Sequence, residues 1–211
     1  MSTSKEQLEA IQDIRKMMQE SSKFLSLSGF SGVFAGIFAL CGAWIGKMQF
    51  DLYFKDENLM FGLQSSEENL MLLIFSICVI VLLASISVAF YFSKRKANKS
   101  GAKLFDKTTG KLLFNMAIPL LAGGIFCLAI LYHGGTFVFL VAPTMLIFYG
   151  LALLNGSKYT YHEIKILGLL EISLGIVALF LLGKGLLFWT LGFGLLHIIY
   201  GTLVWYKHER K

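Results

Sequence analysis

Six stretches of the chain are almost free of charge, approximately Phe24–Gly46, Leu70–Phe92, Leu112–Tyr132, Thr136–Leu154, Ile164–Leu182 and Leu186–Tyr206. Each has about the ~20 residues that a helix needs to cross the ~30 Å hydrocarbon core of a bilayer. Backbone in hydrocarbon has no water to bond with, so each stretch must satisfy its own N–H and C=O groups as a helix. Composition points the same way: 56% of the 211 residues are hydrophobic and 15% charged, against about 45–50% and ~25% in soluble domains. The expectation is an all-α membrane protein with six transmembrane helices in residues 24–206 and a short tail, 207–211.

The basic residues predict its orientation. Sixteen of the 19 fall in the N-terminus, the loop from Lys94 to Lys111, the loop with Lys158 and Lys165, and the C-terminus. Only Lys47, Lys55 and Lys184 lie on the other side, a distribution that places both termini in the cytoplasm of an inner-membrane protein. The net charge of +6 then records topology, so membrane lipids are the expected partners and nucleic acid is not. The run Lys94–Lys99 is suited to anionic headgroups.

Residues 1–23 carry no signal-peptide pattern. Thr3-x-x-Glu6 resembles a capping box, and Leu8, Ile11, Ile14 and Met18 recur at helical spacing, which predicts a cytoplasmic amphipathic helix over Thr3–Ser22. The outer loop Lys47–Asn69 mixes acids (Asp51, Asp56, Glu57, Glu67, Glu68) with aromatics and reads as a solvated, interfacial connection. Trp44 and Trp189 suit the outer aromatic belt, Trp205 and Tyr206 the inner one.

The hydrophobic pattern repeats. A gap-free shift of 51 residues superposes Gly124 on Gly175, Ile125 on Ile176, Ile147 on Ile198, Tyr149 on Tyr200 and Gly150 on Gly201. Gly36, Ile37, Phe38 and Leu40 repeat the same pattern less completely. Three helical hairpins, about 24–92, 112–154 and 164–206, are therefore expected as parallel repeats. On the first helix, Ser28/Gly32/Gly36 and Ser31/Ala35/Ala39/Ala43 form ridges of small residues suited to close helix packing, within the chain or in a homo-oligomer.

The third hairpin departs from its copies in one respect. Glu171 and His197 stand inside apolar spans, each in a glycine notch: Gly168-x-x-Glu171-x-x-x-Gly175 and Gly194-x-x-His197-x-x-x-Gly201. Residues at i−3, i and i+4 share a helical face, so both groups should face protein. A turn at Gly183-Lys184-Gly185 sets them opposite each other, about 20 Å below the turn at ~1.5 Å per residue. A charged group in hydrocarbon costs several kcal/mol, so the two are expected to form a mutual hydrogen-bonded pair in which Glu171 either stays protonated or shares its proton with His197. Their counterparts under the 51-residue shift are Leu120 and Leu146. The hairpin itself does not require the polar pair.

The runs Gly123-Gly124-Ile125-Phe126-Cys127-Leu128, Phe148-Tyr149-Gly150-Leu151-Ala152 and Gly192-Phe193-Gly194 with His197-Ile198-Ile199-Tyr200-Gly201 resemble a family of hypothetical six-helix bacterial membrane proteins. That resemblance implies a fold and no activity. The glycine-rich hairpins are more distantly similar to the HdeD-like acid-stress membrane proteins, which implies a role in envelope stress.

Enzyme chemistry finds little footing. Cys41, Cys78 and Cys127 lie inside spans as small packing residues, and His133, His162 and His208 belong at the surfaces, so no metal-ligand set or cofactor site is expected. No Walker, H-E-x-x-H or G-x-S-x-G pattern occurs. Three readings follow: a transport or permeation protein in which Glu171 and His197 bind a proton or cation, a structural membrane protein in which they clamp two helices, and a membrane enzyme that uses them as acid and base.

Overall fold

A computed structural model describes residues 7, 28–56, 67–101 and 105–210; the expected amphipathic helix lies outside this set apart from Gln7. Among the described residues every regular element is helical. The long helices among them are α1 Gly29–Asp56, α2 Glu67–Ser100, α3 Lys107–His133, α4 Val141–Gly156, α5 His162–Phe180 and α6 Gly185–His208. A 3-10 turn, Gly135–Leu140, leads into α4. Five stretches are long and apolar enough to cross a membrane: Gly29–Leu52, Leu72–Lys99, Lys107–His133, Gly135–Tyr159 and Gly185–His208. The remaining helix, α5, has 19 residues and carries Glu163, Lys165 and Glu171.

The helices overrun the apolar blocks. α1 continues through Lys47 to Asp56, into the sequence assigned above to an outer loop. That segment holds no glycine or proline to end a helix, and the hydrogen-bond ladder propagates cheaply once begun. α3 starts where Asp106 accepts hydrogen bonds from Thr109, from the backbone N–H at 2.7 Å and from the hydroxyl at 2.7 Å, which is N-cap chemistry. α5 ends at Phe180, and Gly183 turns the chain with φ of 89°, a left-handed value that glycine adopts without strain.

Glycine decides which helices touch. A Cβ placed on Gly150 of α4 would lie 2.6 Å from the Gly168 carbonyl of α5 and 2.9 Å from the Ile172 nitrogen. A Cβ on Gly175 of α5 would lie 3.0 Å from the Pro143 carbonyl and 2.6 Å from Ile147 Cγ1. Backbones approach this closely only where both surfaces are small. On the other side, a Cβ on Gly36 of α1 would lie 2.6 Å from both the Gly194 carbonyl and Ile198 Cγ1 of α6, and one on Gly201 of α6 would lie 2.5 Å from the Gly29 carbonyl. α1 also packs on α2 through Gly42 and Val81, and α3 on α4 through Gly123 and Phe148.

One end of the bundle is tied by Glu209. Its carboxylate accepts from the Gly29 backbone N–H at 2.8 Å, from the Ser28 hydroxyl at 3.1 Å and from Lys96 Nζ at 2.9 Å, joining the start of α1, the end of α2 and the end of α6. Beside it, Glu163 of α5 accepts from Lys207 at 2.7 Å, and the His208 ring stacks on Tyr161.

Candidate functional site

Glu171 on α5 and His197 on α6 face each other inside the bundle. The carboxyl is 0% exposed and the imidazole 6%, with Oε1 lying 3.5 Å from Nδ1. The sequence arithmetic placed them opposite each other, and they meet because a sharp turn at Gly183 lets α5 and α6 run antiparallel.

The hydrogen bonding differs from the expected mutual bond. His197 Nδ1 lies 3.0 Å from the Gly192 carbonyl, and Nε2 lies 2.8 Å from the Tyr149 hydroxyl of α4. A carbonyl only accepts, so Nδ1 carries a hydrogen; in the neutral ring Nε2 then accepts from the phenol. Both ring nitrogens are thus engaged away from the acid. Among the described residues, neither oxygen of Glu171 has a hydrogen-bond partner. Buried polar groups are bonded in the great majority of cases, which makes a carboxyl with two bare oxygens an exception that needs a reason.

The helix around His197 is itself irregular. Thr190–Leu196 is a π-helix set between α-helical turns at Gly185–Trp189 and His197–His208. The wider turn draws carbonyls out of the α ladder, and the imidazole of His197 takes one of them, that of Gly192. Gly192 also makes room for the acid: a Cβ there would lie 2.5 Å from Glu171 Oε2 and would strike Leu146 Cδ2. Phe193 stacks on His197 and packs against Tyr149, walling one side.

The four notch glycines sit on the faces the spacing predicts, yet they serve other contacts. Gly168 and Gly175 receive α4, and Gly194 and Gly201 receive α1, so the notches fix the outer neighbours of α5 and α6. Ser28, Gly32 and Gly36 all face α6 or its C-terminal end: Ser28 donates to Glu209, Gly32 meets Tyr200 and Gly36 meets Ile198. Trp189 is buried against Ala39 and Ala43 of α1, where the small-residue ridge leaves room for an indole. Tyr149, Gly192 and the π turn were not singled out from sequence. The available signal was Tyr149 itself, which shares a face with Leu146, the counterpart of His197.

No family model, curated protein or solved structure matches the chain. The function therefore has to be argued from this constellation alone.

Proposed function

We propose that the chain forms a six-span protein of the cytoplasmic (inner) membrane, with both termini inside, in which Glu171 binds and releases a proton during transport or permeation of a proton or cation. Five apolar helices support the membrane setting, and the basic residues support the orientation. α5 suits a sixth span: 19 residues reach about 28 Å at ~1.5 Å each, Glu163 and Lys165 belong at the headgroup level, and Glu171 faces protein.

The observation that carries the reading is the pair of bare oxygens on Glu171. A clamp gains stability by satisfying its polar atoms, since an unmade bond costs about 1–3 kcal/mol. This carboxyl leaves both oxygens unmade beside an imidazole 3.5 Å away that a small movement would bring within bonding distance. Carboxyl, imidazole and phenol together form a chain of groups that hold a proton in alternative places, a coupled titration owned by the set.

Proteoliposomes holding a pH-sensitive dye test it. Wild-type protein should carry proton flux under a pH or cation gradient, and Glu171→Gln should abolish it with folding intact. A Glu171→Leu, His197→Leu double variant with wild-type flux and wild-type growth under acid stress would remove the pair from any mechanism. One observation favours a second reading, a structural clamp: both nitrogens of His197 are bonded within a packed core. That reading expects the same double variant to be as stable as wild type and fully functional.

A further inference from the structure

The glycine contacts come in matching sets. Gly175 meets the Pro143 carbonyl and the nitrogen and Cγ1 of Ile147; Gly36 meets the Gly194 carbonyl and the nitrogen and Cγ1 of Ile198. Pro143 and Gly194, and Ile147 and Ile198, are the residues that the 51-residue shift superposes. The reciprocal set matches too: Gly150 meets the Gly168 carbonyl and Ile172 nitrogen, and Gly201 the Gly29 carbonyl and Val33 nitrogen. In each case the second helix of one hairpin lies on the first helix of another. Three hairpins have three such positions, and the third would join α2 to α3.

That position is vacant. Gly124 of α3 is the counterpart of Gly36 and Gly175, which are buried; it is exposed, and a Cβ there would meet nothing within 4 Å. α2 supplies the matching residues, with Ile86 and Ala89 spaced as are Ile147 and Gly150 on α4 and Ile198 and Gly201 on α6. Ile86 is 55% exposed. On α3 the counterpart of Gly29 and Gly168 is Ala117. An Ala89–Ala117 contact adds two methyl groups where the other interfaces have none, so this one cannot close as tightly. It is built to be weaker than its two equivalents.

We propose that α2 and α3 form a lateral seam of the bundle that opens and closes toward the bilayer, the structure showing its open state, with the chain's own α2 docking on the Gly124 face of α3 in the closed one. The inference rests on the three-repeat reading. The test uses full-length protein in membranes with Cys41, Cys78 and Cys127 replaced by Ala, carrying Ile86→Cys and Gly124→Cys. Closure brings the two Cα atoms to the roughly 4.4–6.8 Å that a disulfide needs, so oxidation should give a cross-link at monomer mass. A cross-link at dimer mass would show that a second copy is the occupant, and absence of any cross-link would show that the seam stays open; either overturns the proposal.

A second measurement is independent of chemistry at Gly124. Spin labels at the exposed Ile80 and Leu128 should report two distances, and Gly124→Leu should remove the shorter while leaving thermal stability unchanged, since its side chain enters open space. A single distance that Gly124→Leu does not alter would count against closure. Gly36→Leu and Gly175→Leu separate the two ideas. Both should lose the fold if the repeats are equivalent; if either is tolerated, the repeat reading fails before the seam is in question.

Discussion

Glu209 and Glu171, two of the carboxyls largely or wholly withdrawn from solvent, could hardly be treated more differently. Glu209 accepts from a helix N-terminal N–H, a serine hydroxyl and a lysine, and in doing so ties three helices together at one end. Glu171, in the middle, is more deeply buried and, among the described residues, accepts from nothing. The fold evidently can supply donors to an acid. Where it withholds them, at Glu171, the acid gains none of the hydrogen bonds by which Glu209 holds helices together.

The contrast can be broken most forcefully at Glu209. Replacing it with Ala removes the acceptor of the Gly29 N–H and one of the partners of Lys96, which keeps the Tyr161 hydroxyl, and should cost about 2–3 kcal/mol, as loss of hydrogen bonds to a charged group does. Denaturation in detergent reads this directly. A loss below about 0.5 kcal/mol would mean that Glu209 is no more structural than Glu171.

At Glu171 the contrast is sharpened through Gly192. Gly192→Ala forces a methyl group against Oε2 and Leu146, an overpacking that should cost about 2 kcal/mol. In a Glu171→Ala background much of that cost should disappear, a coupling that a double-mutant cycle measures. Additive effects would show that Leu146 alone sets the fit.

Asp106 provides the smallest and most pH-dependent effect. The bond from the Thr109 backbone N–H, and then that from its hydroxyl, hold the carboxyl below the usual carboxylate range. A depressed pKa means that the stabilisation is fully present above the unfolded-state value and is lost as pH falls through the folded one. Asp106→Ala should therefore cost about 1 kcal/mol at neutral pH and nothing measurable once both states are protonated. A deficit that persists at low pH would place its cause elsewhere.

Much of this arrangement was legible in the residues. The apolar blocks marked the helices, and the glycines at 183 and 185 located the turn that sets Glu171 opposite His197. The partners of His197 were not legible, because which helix lies beside which is decided by contacts such as Gly150 on Gly168, far apart in function from the polar pair and indistinguishable by periodicity from any other glycine. The π turn was equally hidden: Thr190–Leu196 reads as ordinary apolar helix until the Gly192 carbonyl is seen to bond a side chain. The burial of Trp189 was not legible either, because an indole near a helix end suits the membrane interface by position, and the slot that Ala39 and Ala43 open for it appears only once α1 is packed.

The π segment has a mechanical consequence. A helix wound with more residues per turn is wider and shorter than an α-helix of the same sequence, so the seven residues Thr190–Leu196 are slack stored in the middle of α6. Rewinding them as α-helix would lengthen the rod and turn its far end. Glu209, and with it the ends of α1 and α2, lies just beyond that far end. A change in what His197 bonds that rewound this segment would reach the opposite end of the helix as a push and a twist.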